Sequence, residues 1–101
     1  MIPPSPKEAA LMGFLHEHVF DPILQSPQAS SRLKQGVRAM IMRLERLSAS
    51  SMVQYYWSAI VGTDRSIAFA EDMRREGFNR FEDPELLEQF RRRFDDKWLR
   101  S

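Results

Sequence analysis

Four of the chain's six prolines stand directly after a serine or an aspartate: Ser5-Pro6, Asp21-Pro22, Ser26-Pro27 and Asp83-Pro84. A side chain that accepts from the backbone, followed by a residue with φ already fixed and no N–H to lose, marks a helix start. Ser5-Pro6-Lys7-Glu8 adds a glutamate where a capping box needs one. No stretch shows the period-two alternation of a strand. A chain punctuated in this way is predicted to be all-α.

The same punctuation sets the expected boundaries. A first helix runs from Pro6 to Phe20 and stops before Pro22, because a proline pushes its predecessor out of the helical region. Residues 22–25 form a short helical turn, and a second helix covers Pro27 to Leu47. Ser48-Ala49-Ser50-Ser51 reads as a loop ending in a cap. A third helix spans 52–61 and stops at Gly62. A fourth begins at Thr63 or Asp64 and ends near Glu76, ahead of Gly77. Asp83-Pro84-Glu85 opens a fifth that continues to Leu99. At 101 residues the chain is expected to be a single domain, a compact bundle of five helices with residues 1–5 as a flexible tail.

Helical faces follow from the turn of about 100° per residue. Leu33, Val37, Met40, Ile41, Leu44 and Leu47 make one apolar stripe, and Leu86, Leu87, Phe90, Phe94 and Trp98 make another. The third helix is apolar nearly all round, so it is expected at the centre between the two long ones, with Trp57 buried. Tyr55, Tyr56 and Trp57 fan over about 200°. At least two of them therefore belong to the core rather than to a platform for stacked bases. Phe78 and Phe81 are expected to plug one end of the bundle. Gly13 and Gly36 lie inside helices, where each costs about 1 kcal/mol relative to alanine, and are read as points of close helix approach.

The chain has no cysteine, which excludes disulfides, thiolate zinc sites and a cysteine nucleophile and suits a reducing compartment. The longest uncharged apolar run, 52–62, is about half of the ~20 residues that span a bilayer. MIPPSPKE has no basic stretch leading into an apolar one, so no signal peptide is expected. A cytoplasmic protein without membrane association is the resulting expectation.

Catalytic constellations are not apparent. His16 and His18 are the only histidines, with Glu17 between them and Asp21 beyond. Helical metal ligands sit four apart, as in H-E-x-x-H. Two apart, they diverge by about 200°, so the segment reads as a helix end, with His18 and Asp21 paired beside it. Glu71-Asp72 and Asp95-Asp96 diverge in the same way and have arginines for partners; Arg91 with Asp95 and Arg92 with Asp96 are spaced to pair. No glycine-rich phosphate loop, nucleophile elbow or calcium loop occurs. No metal, cofactor or enzymatic activity is expected.

The charge distribution is more informative than the net charge of +1. Between Gln28 and Leu47 lie Arg32, Lys34, Arg38, Arg43 and Arg46 against one acid, Glu45. Arg32, Arg43 and Arg46 share the side opposite the apolar stripe, with Arg38 and Lys34 further round. Such a face fits a phosphate backbone or an acidic protein surface. The expected function is that of a non-enzymatic accessory or adaptor protein that binds a partner here; the alternative is a homo-oligomeric interaction module without a nucleic-acid role.

Overall fold

Asp83, Ser48, Ser30 and Asp95 each accept from the first turn of a helix, and these caps divide the chain. The computed structural model describes the backbone of residues 6–60 and 68–101 and the side chains of 6–58 and 71–101. Its elements are α1 (Pro6–Leu15), a π-helical turn (His16–Phe20), α2 (Asp21–Leu24), α3 (Ser31–Leu44), α4 (Ala49–Tyr55), a second π-helical turn (Tyr56–Ile60), α5 (Ala68–Arg75), a 3-10 turn (Arg80–Glu82), α6 (Pro84–Arg93) and α7 (Asp96–Arg100). Among the described residues there is no strand, and the architecture is an all-α bundle. No described helix is long and apolar enough to cross a membrane. The expected tail, the Gly62 stop and the start at Thr63 or Asp64 lie outside the described residues.

The first helix does not stop at Phe20. It continues through a π turn, in which the Asp21 N–H reaches back five residues to the His16 carbonyl, and then into α2 with Pro22 near its start. Widening the turn absorbs the proline, whose missing N–H and ring clash would break a regular ladder. It also re-phases the apolar pattern. At about 100° per residue, Phe20 would point away from Leu11 and Leu15. The extra residue of the π turn brings Val19, Phe20 and Ile23 round to join Leu11, Phe14 and Leu15 in the core.

Three other boundaries move for a common reason: a short polar side chain at another position makes the better cap. The second helix starts at Ser31, not Pro27. Ser30 Oγ accepts the Leu33 N–H at 3.1 Å, while Ser26 Oγ accepts from Gln28 in a local turn. The expected loop at 48–51 is already helical, because Ser48 accepts the Ser51 N–H at 3.3 Å. The fifth helix breaks at Phe94 (φ −121°, ψ 49°), and Asp95 caps α7 by accepting from Trp98 N–H at 2.8 Å. Gly77 ends α5 with φ +89° in a Schellman turn, Phe78 N–H bonding the Met73 carbonyl and Gly77 N–H that of Arg74.

The core joins both expected stripes. Leu33, Val37, Met40 and Leu44 are buried from α3, and Leu86, Phe90 and Phe94 from α6 and its end; Ile41, Leu47, Leu87 and Trp98 pack against them partly exposed. Phe90 is the meeting point of the aromatic rings. It stacks on Tyr56 at 4.3 Å and meets Phe14, Trp57 and Phe94 edge-on at 5.7, 5.6 and 5.0 Å. Tyr56, not Trp57, takes the fully buried position; Trp57 is half-buried, since neighbours on a helix cannot share one direction. For the expected central helix, the side chains at 59–61 lie outside the described residues. Phe81 is buried as expected and Phe78 packs partly exposed against the core.

Gly13 is not a point of close approach. It is exposed, and a Cβ there would meet nothing within 4 Å. Gly13→Ala should therefore stabilise the protein by about 0.4–1 kcal/mol through the unfolded chain's lost freedom, seen as a higher urea midpoint with an unchanged slope. Phe90→Ala should cost about 3–5 kcal/mol in the same measurement, the range for truncating a core aromatic.

Candidate functional site

The π turn decides the fate of the histidines. His16 Nδ1 lies 3.0 Å from Asp21 Oδ1, five residues on, so Asp21 pairs with His16 and not with His18. A regular helix makes neighbours three and four apart; a π turn makes them five apart. The carboxylate only accepts, so His16 Nδ1 carries a proton and donates it to Asp21. His18 has other neighbours. Its Nδ1 faces the Arg80 guanidinium at 3.5 Å, and its Nε2 lies 3.8 Å from Glu17. The ring also tilts over Phe14 at 4.5 Å. Among the described residues no three of His, Asp and Glu gather where they would hold a metal ion.

The paired carboxylates are engaged separately. Asp72 is nearly buried and accepts from Arg75 Nη1 at 2.9 Å, with Arg32 Nε at 3.6 Å on its other oxygen. Asp95 caps α7, so the expected Arg91–Asp95 and Arg92–Asp96 pairs give way: Arg92 bonds Glu88 at 3.0 Å, while Arg91 lies over the Trp57 ring. Arg93 covers Phe14 and Phe94. Lys7 joins the two ends of the bundle, donating to the Leu99 carbonyl at 2.9 Å and to Ser101 O. A groove of about 280 Å³ lies between α4 and α7, lined by Ser50, Val53, Gln54, Asp96, Leu99 and Arg100.

On α3 the structure divides the basic residues into two sets. Arg32 and Arg43 flank the core side and have partners: Asp72 for the first, the Tyr55 hydroxyl at 3.3 Å for the second. Arg38 and Arg46 are exposed and Lys34 half-exposed, and none of the three has a hydrogen-bond or ion-pair partner among the described residues. Arg46 sits in the turn that follows Leu44, its N–H bonded to the Arg43 carbonyl. One residue went unread in the sequence. Met42, between Arg38 and Arg46, is 58% exposed, and its outward position on the helix wheel was the available signal.

The start of α3 is held from a distance. The Ser30 N–H and Oγ–H donate to the two carboxylate oxygens of Glu76, at 2.7 and 2.6 Å, across 46 residues of chain. Glu76 thus performs the part of a capping-box glutamate from another helix. These bonds hold its carboxyl below the usual range, Arg75 adding to the effect. Together with Arg32 and Asp72 they tie α3 to α5.

Compared with models of known protein families, with curated protein sequences and with solved structures, the chain matches none.

The Ser30–Glu76 clasp has a pH signature. A folded-state pKa below the unfolded value contributes stability above that value and loses it as pH falls through the folded pKa. Glu76→Gln should therefore lower the melting temperature at pH 7. The gap between variant and parent should begin to narrow below pH 4.5, the unperturbed value, and close once the pH has fallen through the lowered folded value, because protonated glutamate and glutamine are then alike. Melting curves of both proteins over a series of pH values from 7 downward provide the check.

Proposed function

We propose that this protein is a non-enzymatic helical adaptor that binds an anionic partner through the outward face of α3. The observation that carries the proposal is how the arginines are used. Arg32, Arg74, Arg75 and Arg92 have carboxylate partners, Arg43 has a tyrosine hydroxyl, Arg80 a histidine, and Arg91 and Arg93 aromatic rings. Among the described arginines, Arg38, Arg46 and Arg100 alone are left with none of these. Two of the three, Arg38 on α3 and Arg46 in the turn that follows it, are exposed close together in the chain, with Lys34 on the flank of the helix.

The fold suits this role. Leu33, Val37, Met40 and Leu44 bury the inner face of α3, and the Ser30–Glu76 clasp and the Arg32–Asp72 pair anchor its start. The outer face is thereby presented on a fixed rod. Positioned cations lose less freedom on binding than the same residues on a mobile loop. Arginine's planar fork suits either a phosphate or a carboxylate.

Charge reversal tests the reading. Arg38→Glu with Arg46→Glu should abolish binding to polyanion probes, a single-stranded oligonucleotide and polyglutamate, in fluorescence anisotropy at low salt. The melting temperature should barely move, since exposed substitutions away from caps and core stay within about 0.5 kcal/mol. Arg32→Glu should behave oppositely, destabilising the fold by removing the second arginine from Asp72. Unaltered probe binding by the double variant would reduce the arginine face to a solvated surface.

A further inference from the structure

The outward row of α3 carries more than charge. Met42 is, among the described residues, the large apolar side chain left exposed. It lies four residues after Arg38 and four before Arg46, about one turn from each. Gln35 and Ala39, both exposed and neutral, stand beside it, and Glu45 is the one acid at the margin.

An apolar group between two cations is poorly matched to a phosphate backbone, whose binding energy comes from neutralised charge. It is well matched to a protein surface with an apolar centre and acidic ends. Arginine stems lie along apolar surface while their heads stay in water. Arg38, Met42 and Arg46 therefore form a strip with a soft, adaptable thioether in the middle and a cation at each end. The strip belongs to α3 and the turn after it, whose backbone bonds are internal, so there is no sheet edge to extend; a helix laid against it matches the spacing of its three side chains. In a partner helix, acids at i and i+8 stand about 12 Å apart along the axis, comparable to the reach from Arg38 through the end of α3 to Arg46 in the turn beyond it. An apolar residue at i+4 then falls opposite Met42.

Resting on the reading of α3 as a binding face, we infer that its occupant is an acidic amphipathic helix of a protein partner. Its carboxylates take Arg38 and Arg46, and its central apolar residue covers Met42.

The experiment uses a fluorescein-labelled, lactam-stapled helical peptide with Glu, Leu and Glu at i, i+4 and i+8, and in parallel a labelled single-stranded oligonucleotide. The protein should bind the peptide in anisotropy titrations. Met42→Gln should weaken this by about tenfold or more, the scale of an interface anchor. Replacing the peptide leucine with glutamine should weaken it equally, and the two changes together should cost no more than either alone, since the contact is shared. The peptide-side change requires no variant protein, so the inference is tested even where Met42→Gln perturbs folding. Peptide binding indifferent to Met42 and to the leucine would overturn the inference. Oligonucleotide binding that needs Arg38 and Arg46, with no peptide binding, would overturn the helix occupant and keep the adaptor. Failure of both probes would overturn both readings.

Discussion

The stacking of Phe90 on Tyr56 is the contact from which much of the rest follows. At 4.3 Å between ring centres it closes α6 onto the second π turn, and Phe14, Trp57 and Phe94 complete the surround. A tyrosine in that position brings a hydroxyl into the core, and an unpaired hydroxyl there would cost on the order of 1–3 kcal/mol. The Phe81 carbonyl accepts it at 3.0 Å. That bond fixes the 3-10 turn before α6, and the turn in turn buries the Phe81 ring. Burial also pushes the Tyr56 phenol well above its ordinary value, so it remains a donor at any physiological pH. A single aromatic pair thus positions the start of α6 as well as its middle.

The π turn at His16–Phe20 solves the other half of the packing problem. Both Leu15 and Phe20 have to reach the core, and five residues of regular helix would set them about 140° apart. One additional residue in the turn realigns them, and the same residue accommodates Pro22. It also draws His16 onto Asp21 and leaves His18 against Phe14 and Arg80. The histidine cluster that looks chemical in the sequence is, in the fold, a by-product of keeping Leu15 and Phe20 on one side.

The helical class, both apolar stripes and the burial of Phe81 were legible because each depends on local pattern. Boundaries were less so. Ser26 and Ser30 are equally good caps by local rules; what favours Ser30 is Glu76, a residue far along the chain that grips its amide and hydroxyl. Asp95 was read as a salt-bridge partner because its spacing from Arg91 allowed it. Its side chain instead satisfies the Trp98 amide, a competition between cap and ion pair that spacing alone leaves open. Of the candidate face, the basic residues were visible and their division was not, since Asp72 and Tyr55 reach Arg32 and Arg43 only through tertiary packing.

That division bears on what the surface is for. An exposed arginine left without a carboxylate costs the fold little, and many surface ion pairs contribute nothing measurable. Two unpaired arginines are therefore unremarkable for stability. Met42 is different, because an exposed thioether between them forgoes burial worth roughly 1.5–3 kcal/mol for a side chain of that size. The same helix spends Leu33, Val37, Met40 and Leu44 on the core and Ser30, Arg32 and Arg43 on its own support. What remains outward, Arg38 and Met42 on α3 and Arg46 in the turn after it, is what the fold leaves unused, and on its mixture of cation and apolar group the proposed contact with another protein rests.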